Sequence, residues 1–136
     1  SMVGYKYEPF QYIGFFSAKL EDYATYLPCR VVVYTLPLVT KKISKYFYLI
    51  QKTFSEGRKY ESPNSGISQA IFAHIANIKL GGENKYQEKI ILKPLLNSDG
   101  SKCNKNSINL ICNLIIRLEI LWLVVFSLFF YKLINS

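Results

Sequence analysis

From Ile108 to Ile134, 21 of 27 residues are apolar, Cys and Tyr included; the other six are Asn109, Asn113, Arg117, Glu119, Ser127 and Lys132. A helix of that length reaches ~40 Å, against about 30 Å for the hydrocarbon core of a bilayer. The stretch therefore predicts a membrane protein ending in a hydrophobic helix, with the lipid bilayer as one partner. Arg117 and Glu119 are two residues apart, point in different directions and cannot pair well with each other. Charges in hydrocarbon are costly and often functional. The plainer reading sets the membrane boundary near Leu118, so that the charge-free run 120–131 forms a tilted or protein-packed helix. Lys6 and Glu8 interrupt the opening residues before any long apolar run, so no signal peptide is expected there.

The rest of the composition narrows the class. The chain has 136 residues, half of them hydrophobic, which excludes an intrinsically disordered protein. Its length suits one domain, 1–136. Cys29, Cys103 and Cys112 form no even framework and no C-x-x-C pair, and the one histidine, His74, excludes arrangements that need two. Residues 1–107 carry 15 basic against 8 acidic groups, a net +7. No nucleic-acid module is present, and lysines beside apolar helices fit anionic lipid better, so no nucleic-acid partner is expected.

Along the chain, Phe16, Leu20, Tyr23 and Leu27 step by four, three and four and predict a helix over 10–27. Pro28 then suits the first turn of a second helix. CRVVVYTLPLVT is too short to span a bilayer alone and predicts a re-entrant or interfacial helix, kinked at Pro37. In KKISKYFYLIQKTF, lysine stems can lie along apolar surface with their ammonium groups in headgroups or water. Residues 55–66 read as a polar connector whose Pro63-Asn64-Ser65-Gly66 core is a turn. An amphipathic helix follows over 67–80, with Ile67, Ile71, Ile75 and Ile78 on one face and Gly81-Gly82 as its stop. Residues 81–107 read as loop, with a short piece at 90–92 that is either extended or helical. Asn106 or Ser107 caps the final helix.

Few residues carry chemistry. Glu21-Asp22 can hold Mg²⁺ between protein and phosphate oxygens, or can be two solvated charges on a helix. Ser62-Pro63-Asn64-Ser65-Gly66 can aim backbone N–H groups at an anion, or simply lead a loop into a helix. It lacks the lysine and glycine spacing of a Walker A loop. Arg58 and Lys59 suit phosphate or carboxylate, and equally lipid headgroups. His74, with no ligand-spaced companion, reads as a packed, hydrogen-bonded histidine.

Several segments together resemble one family, the membrane-bound cobinamide(-phosphate) synthases of vitamin B12 biosynthesis, the CbiB/CobD type. They are MVGY at 2–5, GFFSAKLEDYATYLPCR at 14–30, ESPNSGISQAIFA at 61–73 and LGG at 80–82. The chain departs from the family pattern at Lys19, Glu21, Cys29, Tyr60 and Ile67-Ser68, where Arg, Asp, Ala, His and Trp-Pro are usual. MVGY falls near the middle of family members. The resemblance therefore implies the C-terminal portion of an all-α, multi-pass protein of the plasma (inner) membrane, lacking N-terminal membrane helices.

The implied activity is ligation. A propionate of adenosylcobyric acid, a corrinoid, is joined to (R)-1-amino-2-propanol or its O-phosphate, with ATP and Mg²⁺. On this reading Glu21, Asp22 and Asn64 are catalytic, with Glu21 and Asp22 holding the metal. Arg30, Arg58, Ser62, Asn64, Gly66, Gly81 and Gly82 bind substrate. The alternatives are a non-catalytic membrane protein that binds or transports a corrinoid, and an inactive fragment of the enzyme.

Overall fold

The computed structural model describes residues 11–40, 43–86 and 89–135. Helix α1 runs from Gln11 to Val39 and is followed by a 3₁₀ turn, Ile43–Lys45. Helices α2 (Tyr46–Gly57) and α3 (Pro63–Ala76) come next. Strands β1 (Leu80–Tyr86) and β2 (Lys89–Leu96) form an antiparallel hairpin, and α4 spans Lys105–Ile134. The chain is mostly helical with one small sheet, so the all-α expectation is corrected at residues 80–86 and 89–96.

The first helix does not break at Pro28; it is continuous through both Pro28 and Pro37 to its end at Val39. A proline inside a helix costs about 3 kcal/mol. Cys29, Val33 and Leu36 lie at helical spacing and are buried in the core, which only an unbroken helix allows. Burying a side chain such as Leu36 contributes roughly 1.5–3 kcal/mol, so burial along this stretch is of the size needed to offset its two prolines. Residues 30–39 thus belong to α1 and are not a separate re-entrant helix.

The expected turn at Pro63–Gly66 is instead the first turn of α3, with Pro63 at its start. Proline fits there because its missing N–H would have no intrahelical partner. The connection from α2 to α3 is the short stretch 58–62. The two helices approach closely at glycines. A Cβ on Gly66 would stand 2.2 Å from the Gly57 carbonyl oxygen, and one on Gly57 would stand 2.5 Å from the Ile67 Cα.

Helix α3 ends four residues before the expected stop. Asn77 takes the left-handed conformation at φ 53° and its N–H returns to the Ala73 carbonyl. Asparagine adopts that conformation more readily than other side-chain-bearing residues. Gly81 and Gly82, both at positive φ, then form an irregularity in β1 where the register shifts. Residue 80, expected to end the helix, and most of 81–96, expected to be loop, lie in the two strands, and the piece at 90–92 is extended.

Two clusters hold the fold. Val33 and Leu36 of α1, Ile67 and Ile71 of α3, and Leu114 and Leu118 of α4 meet in one. Ala70, Ala73, Ile78 and Leu96 form the other, covered by Tyr60 and Ile111. Helix α4 docks through a narrow stripe, Ser107, Ile111, Leu114, Leu118 and Trp122, whose indole N–H reaches Thr35 Oγ1 at 3.4 Å. Its remaining surface is apolar and exposed, including Leu123, Phe126, Leu128 and Phe129. Among the described residues it is the one helix long and apolar enough to cross a membrane. Its cap is Asn104, which accepts from the Ser107 N–H at 2.8 Å, while Ser107 Oγ accepts from the Asn104 N–H at 2.8 Å. Of the two expected caps, Asn106 is inside the helix and Ser107 takes part as the reciprocal member.

Candidate functional site

The start of α3 lies against the middle of α1, and Asn64 ties them together. Its Nδ2 donates to the Asp22 carbonyl oxygen at 2.7 Å and to Thr25 Oγ1 at 3.2 Å. Its Oδ1 accepts from Arg30 Nη1. Only 7% of Asn64 is exposed, so its amide is committed to protein partners. This makes Asn64 the residue that positions Arg30 and Asp22 rather than a group with donors to spare.

Arg30 is fixed twice more. Its Nη1 also reaches the Tyr26 carbonyl oxygen at 3.2 Å, and its guanidinium stacks 3.7 Å from the Tyr26 ring centroid. These contacts use one nitrogen and one face; no other hydrogen-bond partner for Arg30 occurs among the described residues. A guanidinium held this way keeps the paired N–H groups that recognise a carboxylate or phosphate.

Ser62 stands at the N-cap of α3 and makes no side-chain cap. Its hydroxyl donates to Asp22 Oδ1 at 3.3 Å instead. The first-turn N–H groups of α3 thus have no capping oxygen from Ser62, which suits them to an anion. Behind them, Cys29 Sγ–H donates to the Asn64 carbonyl oxygen at 3.1 Å, and Ser68 Oγ lies 3.0 Å from that oxygen and 3.2 Å from Cys29 Sγ.

Two open hollows flank Asn64. One, of about 290 Å³, is lined by Lys19, Asp22, Tyr23, Tyr26, Arg30 and Asn64. The other, of about 300 Å³, is lined by Glu21, Thr25, Cys29, Ser62, Ser65 and Ser68 among others. Adjacent on α1, Asp22 lines the first hollow and Glu21 the second, and Ser62, which bonds the Asp22 carboxylate, lines the second as well. Among the described residues no group of three or more His, Cys, Asp or Glu could hold a metal. A magnesium ion here would take one carboxylate from the protein and its other oxygens from phosphate and water. Magnesium is commonly held in that way, so the donor set fits.

The remaining predicted residues lie elsewhere. Arg58 follows α2, exposed, over the Phe54 ring at 5.7 Å, and lines neither hollow. Gly66 serves the α2–α3 crossing. A Cβ on Gly81 would stand 2.1 Å from the Pro94 carbonyl oxygen, so this glycine and Gly82 shape the hairpin. His74 is packed as expected, its Nε2 3.0 Å from Glu56 Oε2, which also accepts from the Asn97 N–H at 2.8 Å. Tyr60, where the family pattern has His, donates to the Pro94 carbonyl oxygen at 3.0 Å, and burial pushes its phenol above the ordinary value despite nearby Lys93. Sequence reading missed Lys19, Thr25 and Tyr26, whose spacing of three to four residues from Asp22 and Arg30 along α1 was the available signal.

A helical chain with one helix of membrane-spanning length and a preset arginine–carboxylate site is the class these features define. The family model described as CobD/Cbib protein matches residues 1–115, and the chain belongs to that family. A protein named cobalamin biosynthesis protein CobD from Synechocystis is 48% identical over 96 residues, covering 71% of this chain and 27% of the relative. The protein of the same name from Clostridium acetobutylicum is 31% identical over 127 residues, covering 93% and 40%. That from Leptospira interrogans is 37% identical over 100 residues, covering 71% and 31%. The chain thus spans well under half the length of these relatives. No solved structure matches it.

Proposed function

We propose that this chain is the C-terminal part of a multi-pass inner-membrane enzyme of cobalamin biosynthesis, completed by N-terminal membrane helices. The reaction is ATP-dependent amide formation between a propionate of adenosylcobyric acid and (R)-1-amino-2-propanol or its O-phosphate. One observation carries this reading. Segments about 40 residues apart bring Arg30, Asp22 and Ser62 together around one saturated amide, Asn64.

Carboxylate and amine do not condense in water unless the carboxylate is activated. Magnesium–ATP, when bound, supplies that activation. The residues here bind and orient. Arg30 grips a carboxylate or phosphate through its free guanidinium edge. Lys19 adds a second positive charge to the same hollow. Asp22, which lines that hollow and accepts from Ser62, would hold magnesium as its hard oxygen ligand. Asn64 holds Arg30 and the Asp22 backbone at fixed separation, so no reorganisation is needed when charge develops.

The test uses a complete relative such as the Synechocystis protein, with adenosylcobyric acid, ATP and either amine. Asp22→Asn and Arg30→Lys at the matching positions are expected to lower product formation at least ~100-fold, the usual loss when a preorganised electrostatic group is removed. Near-normal turnover in both variants removes these residues from the site. Corrinoid binding without any turnover by the unaltered protein favours a binding or transport role instead.

A further inference from the structure

The β1–β2 hairpin exposes apolar side chains on both of its faces. On β2, Ile90 and Leu92 point one way and Ile91 the other, since successive residues alternate in the regular part of the strand. Ile90 is 69% exposed and Leu92 77%, with Ile91 and Leu95 also open. The base of the hairpin is different: Leu96 is fully buried against Ala70, Ala73 and Ile78. The hairpin therefore overhangs the body, with its apolar part outside it. A protein partner docked on one face of a two-stranded sheet leaves the other face wet. A surrounding medium covers both.

The base is also fixed to the start of α4. Lys79 N–H donates to the Ser101 carbonyl oxygen at 2.8 Å, and Ser101 N–H to the Asn77 carbonyl oxygen at 3.0 Å. Asn97 Nδ2 reaches the carbonyl oxygens of Ala73 and Ile78 at 3.2 and 3.1 Å. Asn104 caps α4 a few residues on. Between Arg58 and Lys105 the sequence holds eight Lys or Arg against four Asp or Glu. Of these cations, Arg58, Lys59, Lys79, Lys102 and Lys105 are exposed.

We propose that the hairpin is a membrane-surface anchor. Its overhanging part lies among the headgroups of the leaflet that α4 enters by its N-terminus, and the surrounding cations sit on anionic lipid. A sheet with open edges does not enter hydrocarbon, where unpaired backbone groups go unsatisfied. The headgroup layer, which accepts apolar side chains and still offers hydrogen bonds, is the depth that suits it. Excess Lys and Arg beside the start of a spanning helix also assigns this side to the cytoplasm. The inference rests on α4 crossing the bilayer.

The whole chain is reconstituted into nanodiscs of phosphatidylcholine with or without phosphatidylglycerol. Cys103 and Cys112 are replaced by serine, and an environment-sensitive fluorophore is attached through Leu92→Cys or, separately, Phe126→Cys. The Phe126 label reports on α4 alone: quenching by lipids brominated deep in the acyl chain shows that it is embedded. With α4 embedded, the Leu92 label is expected to be quenched by headgroup-level nitroxide lipids and shielded from aqueous iodide, more so with phosphatidylglycerol. Lys79→Gln or Lys102→Gln is expected to shift the shielded-to-exposed ratio about fivefold towards exposed. In the unaltered chain, the amides of β2 are expected to exchange more slowly in the anionic discs. Iodide access equal in both lipids overturns the proposal. So does shielding from iodide without lipid quenching, which assigns the surface to protein, either a second copy or the N-terminal part.

Discussion

Asn64 can donate two hydrogen bonds from its amide nitrogen, and both go to α1, one to the Asp22 carbonyl oxygen and one to Thr25. Its carbonyl side holds Arg30. Replacing it by alanine leaves these groups to find water or move, and the guanidinium loses its aim. In a complete relative, Asn64→Ala is expected to lower kcat and kcat/KM together by about 10–100-fold, because what is lost is orientation. Asn64→Gln, with the same amide on a longer stem, is expected to recover little of this. A loss confined to KM contradicts a positioning role. Tyr60 gives a second expectation at this scale. Burial raises its pKa in the folded chain, so above about pH 10 the unfolded chain loses the phenolic proton first. Stability is unaffected below that pH and falls as pH rises from there towards the folded value. Deprotonation also removes the bond to the Pro94 carbonyl. Thermal melts in detergent between pH 8 and 11 are expected to show this extra loss in the unaltered chain and not in Tyr60→Phe.

At the scale of elements, the sequence disclosed what depends on periodicity and concealed what depends on packing. The isoleucine stripe of α3 and the greasy α4 were legible because their apolar spacing is local. Pro28 concealed the continuity of α1, since its propensity is local and the burial of Cys29, Val33 and Leu36 that overrides it is not. The hairpin was illegible for a similar reason. β2 reads KIILKPLL, without the apolar–polar alternation of a strand packed on one face, because its distal half projects beyond the body. The Glu-Asp pair was visible, but its division between two hollows required the α1–α3 contact. Two substitutions probe element boundaries. Asn104→Ala removes the reciprocal cap of α4 and is expected to cost about 1 kcal/mol. Gly66→Ala forces a methyl group against the Gly57 carbonyl and is expected to cost about 1–3 kcal/mol, as overpacking does. Denaturant melts in mild detergent measure both; an unchanged midpoint for Gly66→Ala contradicts the close crossing.

For the whole molecule, the exposed apolar surface decides how the chain behaves. Helix α4 buries little beyond one stripe, and α1 exposes Phe16, Leu20, Tyr23 and Leu27 along its opening half. The latter four were expected to form one greasy face, and they do lie together, but no described element covers them. Lipid and further helices of a longer protein are the two coverings such a surface admits in a membrane. Their shares are separable by experiment. Expressed alone, the chain is expected to stay with the membrane pellet after alkaline carbonate washing, since α4 is long enough to be retained by burial in hydrocarbon. Co-expressed with the N-terminal part of a relative such as the Synechocystis protein, it is expected to co-purify in mild detergent, with Leu20→Lys and Tyr23→Glu weakening that association while leaving carbonate resistance intact. In sequence those two residues adjoin Lys19 and Asp22, and Tyr23 itself lines the arginine-bearing hollow. The same contact that hides this face would therefore close the site, and ligation by the mixed halves should appear only when they associate. Association without activity would separate the assembly of the two halves from their chemistry; release of the lone chain by carbonate would show that α4 is held by protein instead of lipid.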